Sequence, residues 1–115
     1  MSVTIFHNPR CSKSRATLAL LTERGLEPRI VEYLKDELDE QTVHSILSKS
    51  GLPPMNHVRT GEDAFKLSGL SRDETDAAVV AAAIVAAPKL LERPVVVVGD
   101  QARIGRPPEN VLELL

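Results

Sequence analysis

The sequence predicts an α/β protein built on one mixed sheet, with an all-helical insertion at about residues 39–90. Short β-branched runs open the first third of the chain and return in the last third. Helix starts and stops fill the middle, where no further strand-like run occurs. With 115 residues and 43% apolar side chains, residues 1–115 are expected to form a single domain around one core.

The first third of the chain has the pattern of a βαβ unit. Strand-like residues at 2–6 end at the turn around Pro9, and a helix is predicted at about 12–24, before Gly25. Residues 29–34 are strand-like again. Because a strand, a helix and a second strand make a right-handed crossover connection, we expect the two strands to be parallel.

The middle of the chain has helix signals only. Asp39 is predicted to cap a helix that stops at Gly51. The spacing of Ser71 and Glu74 is that of a capping box, and it predicts the start of an alanine-rich helix that ends before Pro88.

The last third returns to strands. Four valines at 95–98 predict a strand that helices cover on both faces, and a turn at Gly99 leads to a second strand at 102–104. A final helix is entered through Pro107-Pro108. The order of elements, βαβ then helices then ββα, fits a thioredoxin-like sheet with a helical insertion.

Composition and charge exclude several classes of function. The net charge of −2 and the absence of tryptophan are unlike a nucleic-acid binder, which needs a basic surface. The longest apolar run, residues 77–87, is far shorter than the roughly 20 residues that span a membrane. A charge and a proline within the first ten residues leave no export signal, so we expect a cytoplasmic protein that contacts neither nucleic acid nor membrane.

One cysteine and three scattered histidines cannot build a disulfide framework or a zinc cluster, so no metal is expected. Nucleotide-binding glycine motifs are also missing. We therefore expect no bound cofactor.

The single cysteine lies at the predicted junction of the first strand and the first helix. Backbone N–H groups and the positive end of the helix dipole favour a thiolate there. Arg10, Lys13 and Arg15 add three cations, whereas the first acidic residue is Glu23. We therefore expect the pKa of Cys11 to lie below that of an ordinary thiol, which makes it a candidate nucleophile.

A structural role is the alternative for this cysteine, because a lone Cys is often a small buried hydrophobe. The polar residues that flank it at 10 and 12–14 do not form a buried apolar face, which favours a reactive thiol. Arg15 lies four residues after Cys11, on the same helix face. An oxyanion bound by Arg15 and the helix N-terminus would touch the sulfur.

The second position of a C-x-x-C redox motif is occupied here by Ser14. A serine hydroxyl can hydrogen-bond a thiolate but cannot resolve a disulfide, so an external thiol such as glutathione and then a protein reductant must regenerate Cys11. A phosphatase-type C-x5-R loop is excluded, because Thr17 stands where its arginine would be.

Four segments of the chain resemble, in this order and spacing, the glutaredoxin-dependent arsenate reductase family: HNPRCSKSR, RTGEDAFK, LLERPVVV and ARIGRPPENVLELL. The resemblance covers essentially the whole chain and implies a thioredoxin-like fold with a helical insertion. It also implies a catalytic cysteine that attacks arsenate to give a thiol–arsenate adduct. Glutathione then reduces the adduct to the arsenite level as a mixed disulfide, and glutaredoxin removes the glutathione.

The resemblance implies a role for each matching residue. Cys11 aligns with the nucleophile, and His7, four residues earlier, would help to keep the thiolate charged. Pro94 matches the family's cis-proline, which faces the cysteine and receives an incoming thiol. Three arginines match those that bind the oxyanion. The candidate site therefore comprises catalytic Cys11, His7 and Arg15, and substrate-binding Arg59, Arg93, Arg106, Ser14 and Pro94.

The chain departs from the better-characterised arsenate reductases in two places. Ser12 and Lys13 replace a glycine and a threonine before the serine, and the extended C-terminal tail is missing. Both features are typical of a shorter branch of the family. The expected partners are arsenate or a similar oxyanion, glutathione and glutaredoxin, and the expected state is a monomer.

Two other functions are compatible with the same fold. One is a monothiol glutathione-linked oxidoreductase acting on another substrate, which would use Cys11 and Pro94 without an oxyanion. The other is a non-catalytic regulator that binds RNA polymerase, although such regulators carry the redox C-x-x-C that Ser14 interrupts. Arginines that converge on the thiol would favour an oxyanion site.

Overall fold

The computed structural model describes residues 2–36 and 38–115 of the chain. These residues divide into two compact units, a sheet unit of residues 2–36 and 93–115 and a helical unit of residues 38–92. In the described part of the chain, every helix is too short or too polar to cross a lipid bilayer.

The sheet unit carries, among the described residues, a mixed sheet of four strands in the order β2-β1-β3-β4. β1 pairs in parallel with β2 and antiparallel with β3, and β3 pairs antiparallel with β4. The predicted mixed sheet and the parallel pair are both confirmed. The elements are β1 (Val3–Phe6), α1 (Ser12–Glu23), β2 (Arg29–Val31), β3 (Val95–Val98), β4 (Gln101–Ile104) and a 3-10 helix (Pro108–Leu114).

The core of the sheet unit lies on the face of the sheet that α1 and the C-terminal 3-10 helix cover. Ile5 of β1 and Val96 of β3 are cross-strand partners, and both are fully buried. Leu21 of α1 meets them in the same cluster. Each fully buried aliphatic side chain of this kind contributes about 1.5–3 kcal/mol to folding. The buried cluster consists of Val3, Ile5, Leu21, Val96, Val111 and Leu114.

Two elements of the sheet unit differ from their predicted form. The strand predicted at 29–34 ends at Val31, because the next residues form a turn in which the backbone N–H of Asp36 donates to the carbonyl of Glu32 at 2.8 Å. The predicted C-terminal helix is present, but it is a 3-10 helix rather than an α-helix.

The helical unit contains helices over the whole predicted insertion, and its described residues form no strand, although Val58 and Leu91 make an isolated β-bridge. α2 begins as predicted, since the Asp39 carboxylate accepts the N–H of Thr42 at 2.7 Å. α3 was not predicted. The elements are α2 (Glu40–Ser50), α3 (Asp63–Ser68), α4 (Ala77–Ala86) and 3-10 helices at Pro54–His57 and Pro88–Leu90.

The predicted start of the alanine-rich helix at Ser71 is wrong. α4 begins at Ala77, and its N-cap is Asp76, whose carboxylate accepts the N–H of Ala78 at 2.9 Å. Ser71 instead donates its hydroxyl to the carboxylate of Asp73. The capping-box residues are therefore used within a turn that precedes the helix.

Gly105 is required by the close approach of Pro94 and α1, and we expect Gly105→Ala to destabilise the protein. A Cβ at this position would lie 2.7 Å from Thr17 Oγ1 and 2.8 Å from Pro94 Cγ. Overpacking of this kind costs about 1–3 kcal/mol, measurable by urea denaturation. The matched change Gly61→Ala meets nothing within 4 Å and should leave stability nearly unchanged. Equal effects of the two substitutions would contradict this account.

His57 is fully buried in the helical unit and makes its stability depend on pH. The ring Nδ1 donates to the carbonyl of Pro54 at 2.9 Å, and Nε2 lies 2.6 Å from the hydroxyl of Ser50. Burial lowers the pKa of His57 below 6.5, although the carbonyls of Pro54 and Pro53 oppose the shift. Just below pH 6.5, therefore, His57 binds a proton more readily in the unfolded chain than in the folded chain.

We accordingly expect the free energy of unfolding to fall as the pH drops from 7 to 5. The slope that one such group adds is at most about 1.4 kcal/mol per pH unit. In denaturant titrations, His57→Gln should flatten this slope, whereas His44→Gln, which replaces an exposed histidine, should preserve it. An unchanged slope in His57→Gln would assign the pH dependence to other groups.

Candidate active site

Cys11 occupies the N-cap position of α1, at the end of the loop that follows β1. Its backbone is extended, with φ −94° and ψ 124°, and its N–H donates to the carbonyl of Asn8 at 3.0 Å. The carbonyl of Cys11 in turn accepts the N–H of Arg15 at 3.0 Å, the first hydrogen bond of the helix. The predicted junction of strand, loop and helix is therefore confirmed, and it directs the helix N-terminus at the sulfur.

The surroundings of the sulfur favour the thiolate. Burial raises the pKa of the Cys11 thiol, but the backbone N–H of Ser14, the guanidinium of Arg93, the backbone N–H of Lys13 and the guanidinium of Arg106 together outweigh it. The net pKa lies below the ordinary value of 9.0. The predicted direction is confirmed, although the side chain is only 8% exposed, so the thiol is more enclosed than its polar neighbours in sequence indicate.

The cations that act on the thiol are not the three that lie nearest to it in sequence, but two of the arginines that the resemblance implied. The guanidinium groups that lower its pKa belong to Arg93 and Arg106, from the segments beside β3 and β4. Arg15 Nη1 donates to the carbonyl of Pro9 at 2.8 Å, in an exposed position. Lys13 acts through its backbone N–H. The charged groups come together only through the sheet, which the local sequence does not reveal.

A buried hydrogen bond joins His7 to Ser14 across the loop. His7 Nδ1 lies 2.6 Å from Ser14 Oγ, and the backbone N–H of Asn8 donates to the same hydroxyl at 3.0 Å. Burial lowers the pKa of His7, Glu32 opposes this effect, and Arg15 lowers it further. His7 is therefore neutral near pH 7 and contacts Ser14, whose backbone N–H lowers the pKa of the Cys11 thiol.

The segment before β3 and the segment after β4 are joined near the thiol. Arg106 Nε donates to the carbonyl of Arg93 at 2.9 Å, and the N–H of Gly105 donates to the carbonyl of Pro94 at 2.8 Å. The Arg93–Pro94 peptide bond is cis, as the resemblance implied, and so is the Arg106–Pro107 bond, which was not predicted. These contacts fix the backbone from which both arginines project.

Arg59, the third arginine of the predicted site, belongs to the helical unit. Its Nη1 lies 2.5 Å from Glu62 Oε1, and its Nε lies 3.9 Å from Glu92 Oε1. Its backbone N–H donates to the carbonyl of Leu90 at 2.7 Å. The structure thus places the guanidinium between two carboxylates within that unit.

Among the residues that the structure describes, no group of three or more His, Cys, Asp or Glu side chains has the arrangement of a metal site. The chemistry available in the sheet unit is that of a nucleophilic sulfur next to guanidinium groups. Guanidinium presents paired N–H donors that match the oxygens of a tetrahedral anion. The arrangement therefore suits attack by sulfur on an oxyanion.

The sequence profile of the ArsC family matches residues 6–114. The chain belongs to the ArsC family. An arsenate reductase of Haemophilus influenzae is 44% identical to it over 116 residues, which cover 100% of both chains. The uncharacterised protein YfgD of Escherichia coli K12 is 46% identical over 114 residues, covering 98% of this chain and 96% of that protein.

Solved structures agree with this membership. The arsenate reductase of Vibrio cholerae superposes on this ArsC-family chain with a TM-score of 0.88 and 43% identity, covering 100% of this chain and 98% of that one. The fold of the ArsC-family chain is thioredoxin-like, as predicted from the order of its elements.

Some residues of the ArsC-family site give little signal in the sequence. The N–H of Asn8 donates to the Ser14 hydroxyl and its carbonyl accepts the N–H of Cys11, yet the sequence indicates only a turn at this residue. Glu32 acts on His7 from the end of β2, and only the parallel pairing of β1 with β2 could have indicated this. For Gly105, whose missing side chain lets Pro94 and Thr17 approach, the available signal is its position directly before Arg106 and two prolines.

We expect Ser14→Ala to loosen the loop that carries the thiol. The substitution leaves the partly buried N–H of Asn8 and the buried ring of His7 without their shared partner, which costs about 1–3 kcal/mol. Thermal denaturation measures this loss, and the pH profile of Cys11 alkylation should shift toward higher pH. Ser12→Ala, at an exposed neighbouring position, is the matched control and should change neither property. The same loss in both variants would refute the role given to the Ser14 hydroxyl.

Proposed function

We propose that this protein is an arsenate reductase that takes its electrons from glutathione and is regenerated by glutaredoxin. The observation that carries the proposal is the position of Cys11: a thiol at a helix N-cap, with a pKa lowered by backbone N–H groups and by Arg93 and Arg106. Membership of the ArsC family and the arsenate reductases among its relatives support arsenate as the substrate.

The first step is attack by the Cys11 thiolate on arsenic. A sulfur–arsenic bond forms, one arsenic–oxygen bond breaks, and that oxygen leaves as water after taking up two protons. Arg93 and Arg106 bind the remaining oxygens and offset the negative charge that the thiolate and the oxyanion bring together.

The second step reduces arsenic by two electrons. The glutathione thiolate attacks the Cys11 sulfur, so a disulfide forms and the sulfur–arsenic bond breaks with its electron pair on arsenic, which leaves as arsenite. The thiolate of glutaredoxin then attacks the glutathione sulfur and releases Cys11 as thiolate. Ser14 cannot perform this resolution, which is why an external thiol is required. No bound cofactor takes part, and the protein acts as a cytoplasmic monomer.

The direct test is NADPH oxidation in a coupled assay with glutathione, glutathione reductase and glutaredoxin. We expect NADPH consumption that requires arsenate, and that stops when glutathione is left out. If arsenate causes no turnover while Cys11 is still alkylated rapidly at neutral pH, the protein uses its thiol on another substrate.

A further inference from the structure

Asn110 of the C-terminal 3-10 helix makes a hydrogen bond that the proposed reaction has not yet used. Its side-chain Nδ2 donates to the carbonyl of Arg106 at 3.0 Å, in a partly buried position. Because a carbonyl can only accept, the amide must present its NH2 group here rather than its oxygen. The side chain is therefore held in one orientation, against the backbone of an arginine that acts on the thiol.

The helix that carries Asn110 is fixed by the core of the sheet unit. The next residue, Val111, is fully buried, and Leu114 lies one turn further on in the same buried cluster. The backbone N–H of Asn110 donates to the carbonyl of Pro107 at 3.0 Å, at the turn that enters the helix. Asn110 is thus attached on one side to closely packed structure and on the other side to the carbonyl of Arg106.

Arg106 transmits this restraint to the segment before β3. Its Nε donates to the carbonyl of Arg93 at 2.9 Å, and its backbone N–H donates to the carbonyl of Ile104 at 2.9 Å. Together with the bond from Asn110, the backbone N–H, the carbonyl and the Nε of Arg106 all have partners. A side chain restrained in this way loses little conformational freedom when its guanidinium binds an anion.

The same restraint determines how strongly Arg106 acts on the thiol. The guanidinium groups of Arg93 and Arg106 both lower the pKa of Cys11. The interaction of two charges weakens as their separation grows, so an arginine that moves more freely stabilises the thiolate less. Release of the Arg106 backbone should therefore affect both the thiolate and the anion that it attacks.

We propose that Asn110 is a positioning residue of the arsenate reaction, which acts through Arg106 on the thiolate and on the oxyanion. The proposal rests on the proposed function, because it names the group that holds one of the two arginines of that reaction. The amide of Asn110 fixes the backbone of Arg106, and the guanidinium of Arg106 offsets the charge that develops at the sulfur and the arsenate oxygens.

Asn110→Ala removes this hydrogen bond and leaves Arg106 in the chain. Loss of one such bond should lower kcat/KM for arsenate about three- to tenfold, which is less than the loss expected for Arg106→Ala. The pH of half-maximal alkylation of Cys11 should rise, in the same direction as in Arg106→Ala but by less. Gln101→Ala removes an amide from an exposed position on β4 and should change neither property.

A double-mutant cycle separates positioning from a general loss of stability. If Asn110 acts through the guanidinium, adding Asn110→Ala to Arg106→Ala should change kcat/KM by less than about twofold. In an Arg103→Ala background, which keeps the Arg106 guanidinium, the three- to tenfold loss should remain. A loss of equal size in the two backgrounds would overturn the proposal, because the amide would then act on another group.

The alkylation measurement keeps the proposal separate from the proposed function, since it needs neither arsenate nor glutathione. Absence of arsenate turnover in the unmodified protein would refute the proposed function, whereas the alkylation of Cys11 would still test the role of Asn110. Asn110→Leu keeps a side chain of similar size without the donor, and it provides the same test if Asn110→Ala does not fold. An unchanged pH of half-maximal alkylation in a folded Asn110 variant would overturn the proposal.

Discussion

Replacing Cys11 with serine is expected to lower arsenate-dependent turnover by about 10³-fold or more, down to the background of the assay. The alcohol is far less acidic than the thiol, and the backbone N–H groups of Lys13 and Ser14 that stabilise a thiolate cannot make it a comparable nucleophile. The fold should survive, because serine is also a good N-cap residue for α1.

The matched control moves the thiol by a single residue. The double variant Cys11→Ser/Ser12→Cys keeps one cysteine in the chain but places it at the first position of α1, where the side chain is exposed. We expect it to be as inactive as Cys11→Ser, with circular dichroism and thermal denaturation showing a folded protein. Substantial turnover in either variant would show that the position of the thiol does not determine the reaction.

Removal of Arg93 or Arg106 is expected to lower kcat/KM for arsenate by about 10²-fold. Both guanidinium groups lower the pKa of Cys11, so each variant should also need a higher pH for half-maximal alkylation of the thiol. Arg106→Ala should lower kcat/KM more than Arg93→Ala does, because Arg106 Nε also donates to the carbonyl of Arg93. Steady-state kinetics and the pH profile of iodoacetamide reaction measure the two effects separately.

Arg103→Ala is the control for this pair. Arg103 lies on β4, in the same unit and only three residues before Arg106, but its Nε pairs with the carboxylate of Glu113 at 3.2 Å. Its removal changes the net charge equally and should alter kcat/KM less than about twofold. A loss as large as that of Arg106→Ala would mean that net charge, rather than guanidinium groups at the thiol, governs the rate.

The position of the nucleophile follows from local sequence alone. A β-branched strand, a turn at Asn8-Pro9 and a run of helix-forming residues place Cys11 at a helix N-terminus, and the structure has it at the N-cap of α1. The order of elements along the chain, the parallel pairing of β1 with β2 and the helical insertion follow from patterns of the same short range. Local patterns succeed here because helix capping and strand alternation depend on neighbours within a few residues.

The electrostatic partners of the thiol could not be assigned in the same way. Nearness in sequence favoured Arg10, Lys13 and Arg15 as the cations, whereas the structure brings in Arg93 and Arg106 from about 80–95 residues along the chain. Only the resemblance to a family pointed to the latter two. Sequence distance is a poor guide to such contacts, because this mixed sheet makes neighbours of β1 and β3, which come from opposite ends of the chain.

The sequence by itself determined the fold class and the position of the nucleophile. It also determined the need for an external reductant, because Ser14 occupies the position of the second cysteine of a C-x-x-C motif. Tertiary structure decided which charges act on the Cys11 thiol, that His7 bonds to Ser14, and that Asn110 bonds to the backbone of Arg106. The physical reason is that backbone conformation is set largely by adjacent residues, whereas the field at an atom depends on every group that the fold brings within a few ångströms.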